Sequence, residues 1–207
     1  MSSFALHRPH VRRRDMGFTL IELLVVIAVI TLLAALVMPS MMQAVAMAER
    51  TRCSSNMGQI LRGCAIYANQ FKRYFPNGKP ARTGYGDDDL SRLVTGKYVG
   101  DIKVFACPAT EDDPETPEDI RYKATNGGKM SYEYRGQYNP RLAMPGFNLT
   151  VACVMTDEDG YHVNGIVDGD NHGTSGANMA FMDSHVEWQQ PDTYVTVYAR
   201  SRAEWAR

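Results

Sequence analysis

Two loop-like tracts, Asp157-Glu158-Asp159-Gly160 and Asp168-Gly169-Asp170-Asn171-His172-Gly173, concentrate the oxygen ligands that a hard cation such as Ca2+ takes. Read as an EF-hand loop, the second tract puts His172 at position 5 and Met179 at position 12, where a bidentate glutamate belongs. Calcium at Asp168 and Asp170 is therefore the alternative to ordinary turn chemistry, in which Asp, Asn and Gly serve the backbone, and the expected cofactor set is none. A catalytic reading would recruit His162, His172 and His185 with nearby carboxylates for acid–base work. No HExxH, GxSxG or CxxC pattern organises them, so no catalytic residue is assigned and an enzyme is not expected.

Cysteine chemistry is the next resource. Cys53, Cys64, Cys107 and Cys153 all follow the longest apolar run, and their even number suits an oxidising compartment; four buried thiols is the competing reading. If Cys53 and Cys64 share a helix, a rise of ~1.5 Å per residue separates them by about 16 Å, well beyond the ~7 Å Cα limit for a bridge. Two connectivities remain, each joining Cys53 and Cys64 to Cys107 and Cys153 in one order or the other. A last singular residue is Glu22, the one charge in the apolar run from Phe18 to Met38, where an unpaired carboxylate in lipid is costly and calls for a partner.

The elements that position these residues follow from pattern. Phe18 to Met38 makes a helix of about 31 Å at ~1.5 Å per residue, matching a bilayer core. Four arginines against Asp15 give residues 1–17 a charge of +3, which leaves the remainder at −4 within a net −1. The basic head should stay cytoplasmic and the rest cross the membrane; basic residues are not gathered on the folded part, so no nucleic-acid partner is expected. A secretory signal peptide fits less well, because the apolar run exceeds the usual ~7 to 15 residues and no A-x-A-like site ends it.

Beyond Pro39, which lacks the helical N–H donor and so predicts a kink or local melting, Cys53, Met57, Ile60, Cys64, Tyr67 and Phe71 recur at steps of 4, 3, 4, 3 and 4, one stripe of a helix ending near Phe71 to Tyr74. Further on, Asp87 to Val94 predicts a short helix leading to Tyr98. The acid-rich segment Glu111 to Asp119 predicts an exposed, solvated loop. Short β-prone runs lie at Lys103–Ala106, Met130–Tyr134, Thr150–Met155, Ala177–Met182, His185–Trp188 and Tyr194–Tyr198. Asp183-Ser184 predicts a hairpin turn, with His185 a strand residue beside Trp188 and His172 a hydrogen-bonding loop residue. The fold class is α+β: one long amino-terminal helix across a small antiparallel sheet, with a chain of 207 residues long enough for a single globular core.

Gly17-Phe18-Thr19-Leu20-Ile21-Glu22, following Arg12-Arg13-Arg14 and running into the apolar helix, resembles the processing signal of type IV prepilins and type II secretion pseudopilins. The resemblance implies cleavage between Gly17 and Phe18 by a prepilin peptidase and N-methylation of Phe18. It also implies a role for Glu22 in assembly, paired with the amino terminus of a neighbouring subunit. It divides the chain into a cytoplasmic leader (1–17), a membrane or filament-core helix (18–38), its amphipathic continuation (39–74) and a periplasmic or extracellular domain (75–207). Cys53-Ser-Ser-Asn56, Phe105-Ala106-Cys107-Pro108 and His172 with Asp183 also resemble the H-x9-DG subfamily, although ten residues separate His172 from Asp183 and Ser184 stands where that pattern has glycine.

The expected function is a structural filament subunit in a pilus or pseudopilus, anchored once in the bacterial inner membrane. Its expected partners are the peptidase, other pilin subunits and an assembly platform. The alternative is a minor pilin-like or membrane-anchored ligand-binding protein.

Overall fold

The computed structural model describes residues 18–76, 90–120, 128–134, 153–156 and 171–205. Its first element, α1 (Leu20–Gln70), is 51 residues long and runs through Pro39 without a break, so the kink or melting expected there does not interrupt the helix. The helix ends where expected, by backbone geometry rather than by proline. Lys72 and Arg73 take left-handed φ values of 54° and 73°, and the Arg73 N–H reaches back to the Ala68 carbonyl at 2.8 Å. That is the long bond of a Schellman stop, made here without its usual glycine.

The chain divides into two compact units, Met1–Gln43 and Ala44–Arg207, and α1 contributes residues to both. In the first unit the apolar side chains of α1 are exposed, from Leu20 through Val37 to Met42. The stretch is long and apolar enough to cross a membrane.

In the second unit α1 changes character. Cys53, Met57, Ile60, Cys64 and Tyr67 are buried, as their spacing requires, and Leu61 and Ala68 join them. Phe71 departs from the expected stripe. It lies past the last helical residue, is 46% exposed and stacks on Tyr67 with centroids 4.1 Å apart.

The sheet is fully antiparallel, in the order β1 (Glu133–Tyr134), β2 (Cys153–Thr156), β3 (Ala177–Phe181) and β4 (Val186–Gln189). An irregularity between Cys153 and Met155 shifts the β2–β3 register. Every residue of β3 is buried, because the strand has a helix on each side. Ala180 shares a core with Met57, Ile60 and Leu61 of α1. Ala177, Met179 and Phe181, on the opposite face by strand alternation, pack with Tyr194 and Tyr198.

Those two tyrosines belong to α3 (Pro191–Trp205), so the expected strand at Tyr194–Tyr198 is corrected to helix. Pro191 supplies the fixed φ favoured at a first helical position, and Tyr194, Tyr198 and Ser201 recur at the spacing of one helical face. Burying that face against β3 outweighs the weak strand preference of Tyr, Val and Thr.

Lys103–Ala106 is likewise not a strand. Ile102–Phe105 forms a 3-10 turn, opened by Asp101, whose carboxylate accepts the Lys103 N–H at 2.9 Å. The expected helix before Tyr98 is α2 (Ser91–Thr95); residues 87–89 lie outside the described residues, as do 150–152 of the run before β2.

The acidic loop at 111–119 is less solvated than its composition suggests. Pro114 is buried, and Asp112 accepts the Ser131 hydroxyl at 2.6 Å. Asp119 accepts the backbone N–H groups of Glu115 and Thr116 at 2.9 and 2.8 Å, and these bonds hold its carboxyl down at about 2.

The predicted hairpin joins β3 to β4. Ser184 N–H donates to Phe181 O at 2.9 Å, Phe181 N–H donates to His185 O at 3.0 Å, and Ser184 sits at φ 73°. A left-handed serine costs roughly 1–2 kcal/mol, whereas glycine there costs roughly 0.5–1 kcal/mol of extra chain entropy. Ser184→Gly is therefore expected to stabilise the protein by about 0.5 kcal/mol, read as a higher denaturation midpoint at unchanged slope.

Candidate functional site

Two clusters collect the residues singled out by their chemistry. At the start of α1, Thr19 and Glu22 form a reciprocal capping box. The Thr19 N–H donates to Glu22 Oε2 at 2.8 Å, the Thr19 hydroxyl donates to the same oxygen at 2.6 Å, and the Glu22 N–H donates to Thr19 Oγ1 at 3.3 Å. The box satisfies backbone groups that a helix start leaves without intrahelical partners. The signal was present in the sequence, since Thr19-Leu20-Ile21-Glu22 is the T-x-x-E pattern before an apolar run. Phe18, immediately before the cap, is 76% exposed. Gly17 lies outside the described residues, as do Asp168 and Asp170 of the calcium alternative.

The second cluster lies within the Ala44–Arg207 unit. Cys53, Cys107 and His172 each offer one ligand atom, and these atoms all lie within 4.8 Å of one another. Cys53 comes from the buried face of α1, Cys107 follows the Ile102–Phe105 turn, and His172 opens the 3-10 turn Gly173–Ser175. The three fragments that carried the subfamily resemblance thus meet in space. Asn56 Nδ2 ties two of them together by donating to Ala106 O at 3.1 Å.

Cys53, Cys64 and Cys107 are unbridged and buried. Cys153 is the first residue of β2, and Cys64 does not join the cluster. The Cys107 thiol is pushed down to about 6, first by its hydrogen bond with Cys53 and further by His172, against the opposing effect of burial. Burial pushes the Cys64 thiol and the Tyr132 phenol up.

His172 is a hydrogen-bonding turn residue, as expected, whereas His185 is not the strand residue expected. His185 precedes β4, pairs with Asp183 and stacks on Phe181 with centroids 4.3 Å apart, so it is not the neighbour of Trp188. That neighbour is His172, edge-on at 5.4 Å. Arg50 covers the Trp188 ring at 4.0 Å.

An apolar helix long enough to cross a membrane, with a capping acid at its start, and a small antiparallel sheet define an α+β protein of pilin-like architecture. Residues 12–38 match the family described as the prokaryotic N-terminal methylation motif. That match covers 27 of the 207 residues and makes the amino-terminal segment similar to those of prepilin-type, type IV pilin-like proteins. No curated protein and no solved structure matches the chain.

Proposed function

We propose that the chain is a structural subunit of a type II secretion pseudopilus or a type IV pilus-like filament, cut between Gly17 and Phe18 and assembled through α1. The observation that carries this reading is the methylation motif over residues 12–38, laid on a helix whose apolar side chains are exposed from Leu20 to Met42. A monomer leaves that surface to lipid. A filament offers it the same apolar surfaces of neighbouring helices, which associate by packing rather than by chemistry. Cleavage would create an ammonium at Phe18, four residues before Glu22, and Glu22 supplies the carboxylate to pair with such a group from an adjacent subunit.

In this reading an assembly platform in the membrane performs the work and the subunit supplies shape, with no reaction of its own. The test is the intact mass and amino-terminal sequence of the protein recovered from the membranes of its own cell. The expected result is a chain beginning at N-methylated Phe18. An unprocessed amino terminus in cells that process other prepilins would overturn the reading and favour a permanently anchored binding protein.

A further inference from the structure

We infer that Cys53, Cys107 and His172 form a binding site for one Zn2+ ion in the Ala44–Arg207 unit. Cys107 Sγ lies 3.7 Å from His172 Nε2, and the ligand atoms of all three residues fall within 4.8 Å of one another. With Zn–S near ~2.3 Å and Zn–N near ~2.0–2.1 Å, tetrahedral edges are about 3.6 Å for S···N and about 3.8 Å for S···S, so the three side chains already approximate one face of such a site. Two thiolates and a neutral imidazole suit zinc better than a hard cation. They also bring the bound centre to zero net charge, which matters because Cys53 and Cys107 are buried.

The backbone around the site is held by bonds outside the ligand set. Ser131 anchors two of the three ligand segments at once: its hydroxyl accepts the Cys107 N–H at 2.8 Å, and its carbonyl accepts Asn171 Nδ2 at 2.8 Å. The Ser131 N–H in turn donates to Phe105 O at 3.0 Å, two residues before Cys107. On the α1 side the Cys53 thiol donates to the Tyr132 hydroxyl at 3.5 Å, and that hydroxyl donates to Ala106 O at 3.2 Å. Trp188 walls the His172 ring.

His172 is the one ligand that is partly exposed, so an ion enters from its side and the fourth position there takes water or a further donor. A disulfide between Cys53 and Cys107 would have no use for the imidazole that faces Cys107. On binding, one Zn2+ replaces the two thiol protons, which leave to solvent, and takes the lone pair of His172 Nε2.

The experiment uses the full chain in detergent, reduced and stripped with a chelator, titrated with Co2+ as an optical stand-in and then with Zn2+. One equivalent of Co2+ should give thiolate-to-cobalt charge-transfer absorption and intense tetrahedral d–d bands, bleached by one equivalent of Zn2+ with release of protons to the buffer. Cys53→Ser, Cys107→Ser and His172→Ala should each weaken binding by at least about tenfold, whereas Cys64→Ser should leave it unchanged. Failure of the unaltered chain to bind Co2+ stoichiometrically would overturn the inference, and that readout does not depend on any variant folding. So would an unreduced mass map of the native protein showing a Cys53–Cys107 bond.

Discussion

Glu22→Gln is expected to enter the membrane in normal amount, to be processed, and to leave no filaments, with filament yield falling to background. Glu22 has two separable roles. Its carboxylate accepts the Thr19 N–H and hydroxyl, closing the capping box at the start of α1, and its negative charge is the proposed counterpart of a neighbour's amino terminus. Glutamine retains an acceptor oxygen and serves at this capping position as well as glutamate does, so the substitution removes the charge while leaving the helix start in place. Glu22→Val removes both.

Membrane fractionation measures insertion, and shearing of cells followed by electron microscopy measures filaments. Loss of filaments in both variants, with insertion intact, assigns the assembly defect to the charge. Normal filament yield from Glu22→Gln beside failure of Glu22→Val would reduce the role of Glu22 to capping and refute the pairing mechanism.

The second large effect is expected at Gly176. Its backbone sits at φ 143° and ψ −178°, a region almost confined to glycine. A Cβ placed there would lie 2.4 Å from Trp188 Cζ2 and 2.5 Å from the Gln189 carbonyl oxygen. Backbone strain of about 1–3 kcal/mol and overpacking of about 1–3 kcal/mol together predict that Gly176→Ala destabilises the domain by about 2–6 kcal/mol. Against a total stability of about 5–15 kcal/mol, that is enough to leave a large unfolded fraction in mild denaturant.

Gly100→Ala is the matched control. Nothing lies within 4 Å of the Cβ it would add, and its φ is not positive, so its effect should stay within about 0.5 kcal/mol. Denaturant titration followed by tryptophan fluorescence compares the two directly. A Gly176→Ala midpoint equal to that of Gly100→Ala would show that the close approach to Trp188 relaxes without cost.

The long helix was legible because its physics is local. Bilayer length, the stripe from Cys53 to Tyr67 and the breakers after Tyr74 each fall within a few turns, and α1 ends within a few residues of the place they indicate. The β3–β4 hairpin was legible for the same reason, its turn residues lying between two β-prone runs. Tyr194–Tyr198 was not, because the same residues satisfy a strand until the second face of β3 demands a cover, and only the tertiary fold makes that demand.

Lys103–Ala106 failed similarly, its apolar residues facing the core from a single 3-10 turn. The cysteine–histidine cluster left no spacing pattern at all. Its members come from a helix, a loop and a turn, at residues 53, 107 and 172, and proximity among them exists only once the sheet and α1 have packed. Each was visible singly, as a paired-cysteine candidate or a loop histidine, and their conjunction was not.

The exposed side chains between Leu20 and Met42 also bear on how this protein tolerates change. Because the monomer buries none of these large apolar groups, exchanging one apolar residue for another there removes no internal contact, and a survey scored by folding stability would register the segment as neutral. The same survey scored by filament yield would register it as constrained. Comparing the two tolerance profiles should therefore show a boundary between Met47, still exposed, and Cys53, the first buried residue of α1, with selection for partnership on one side and selection for self-consistency on the other.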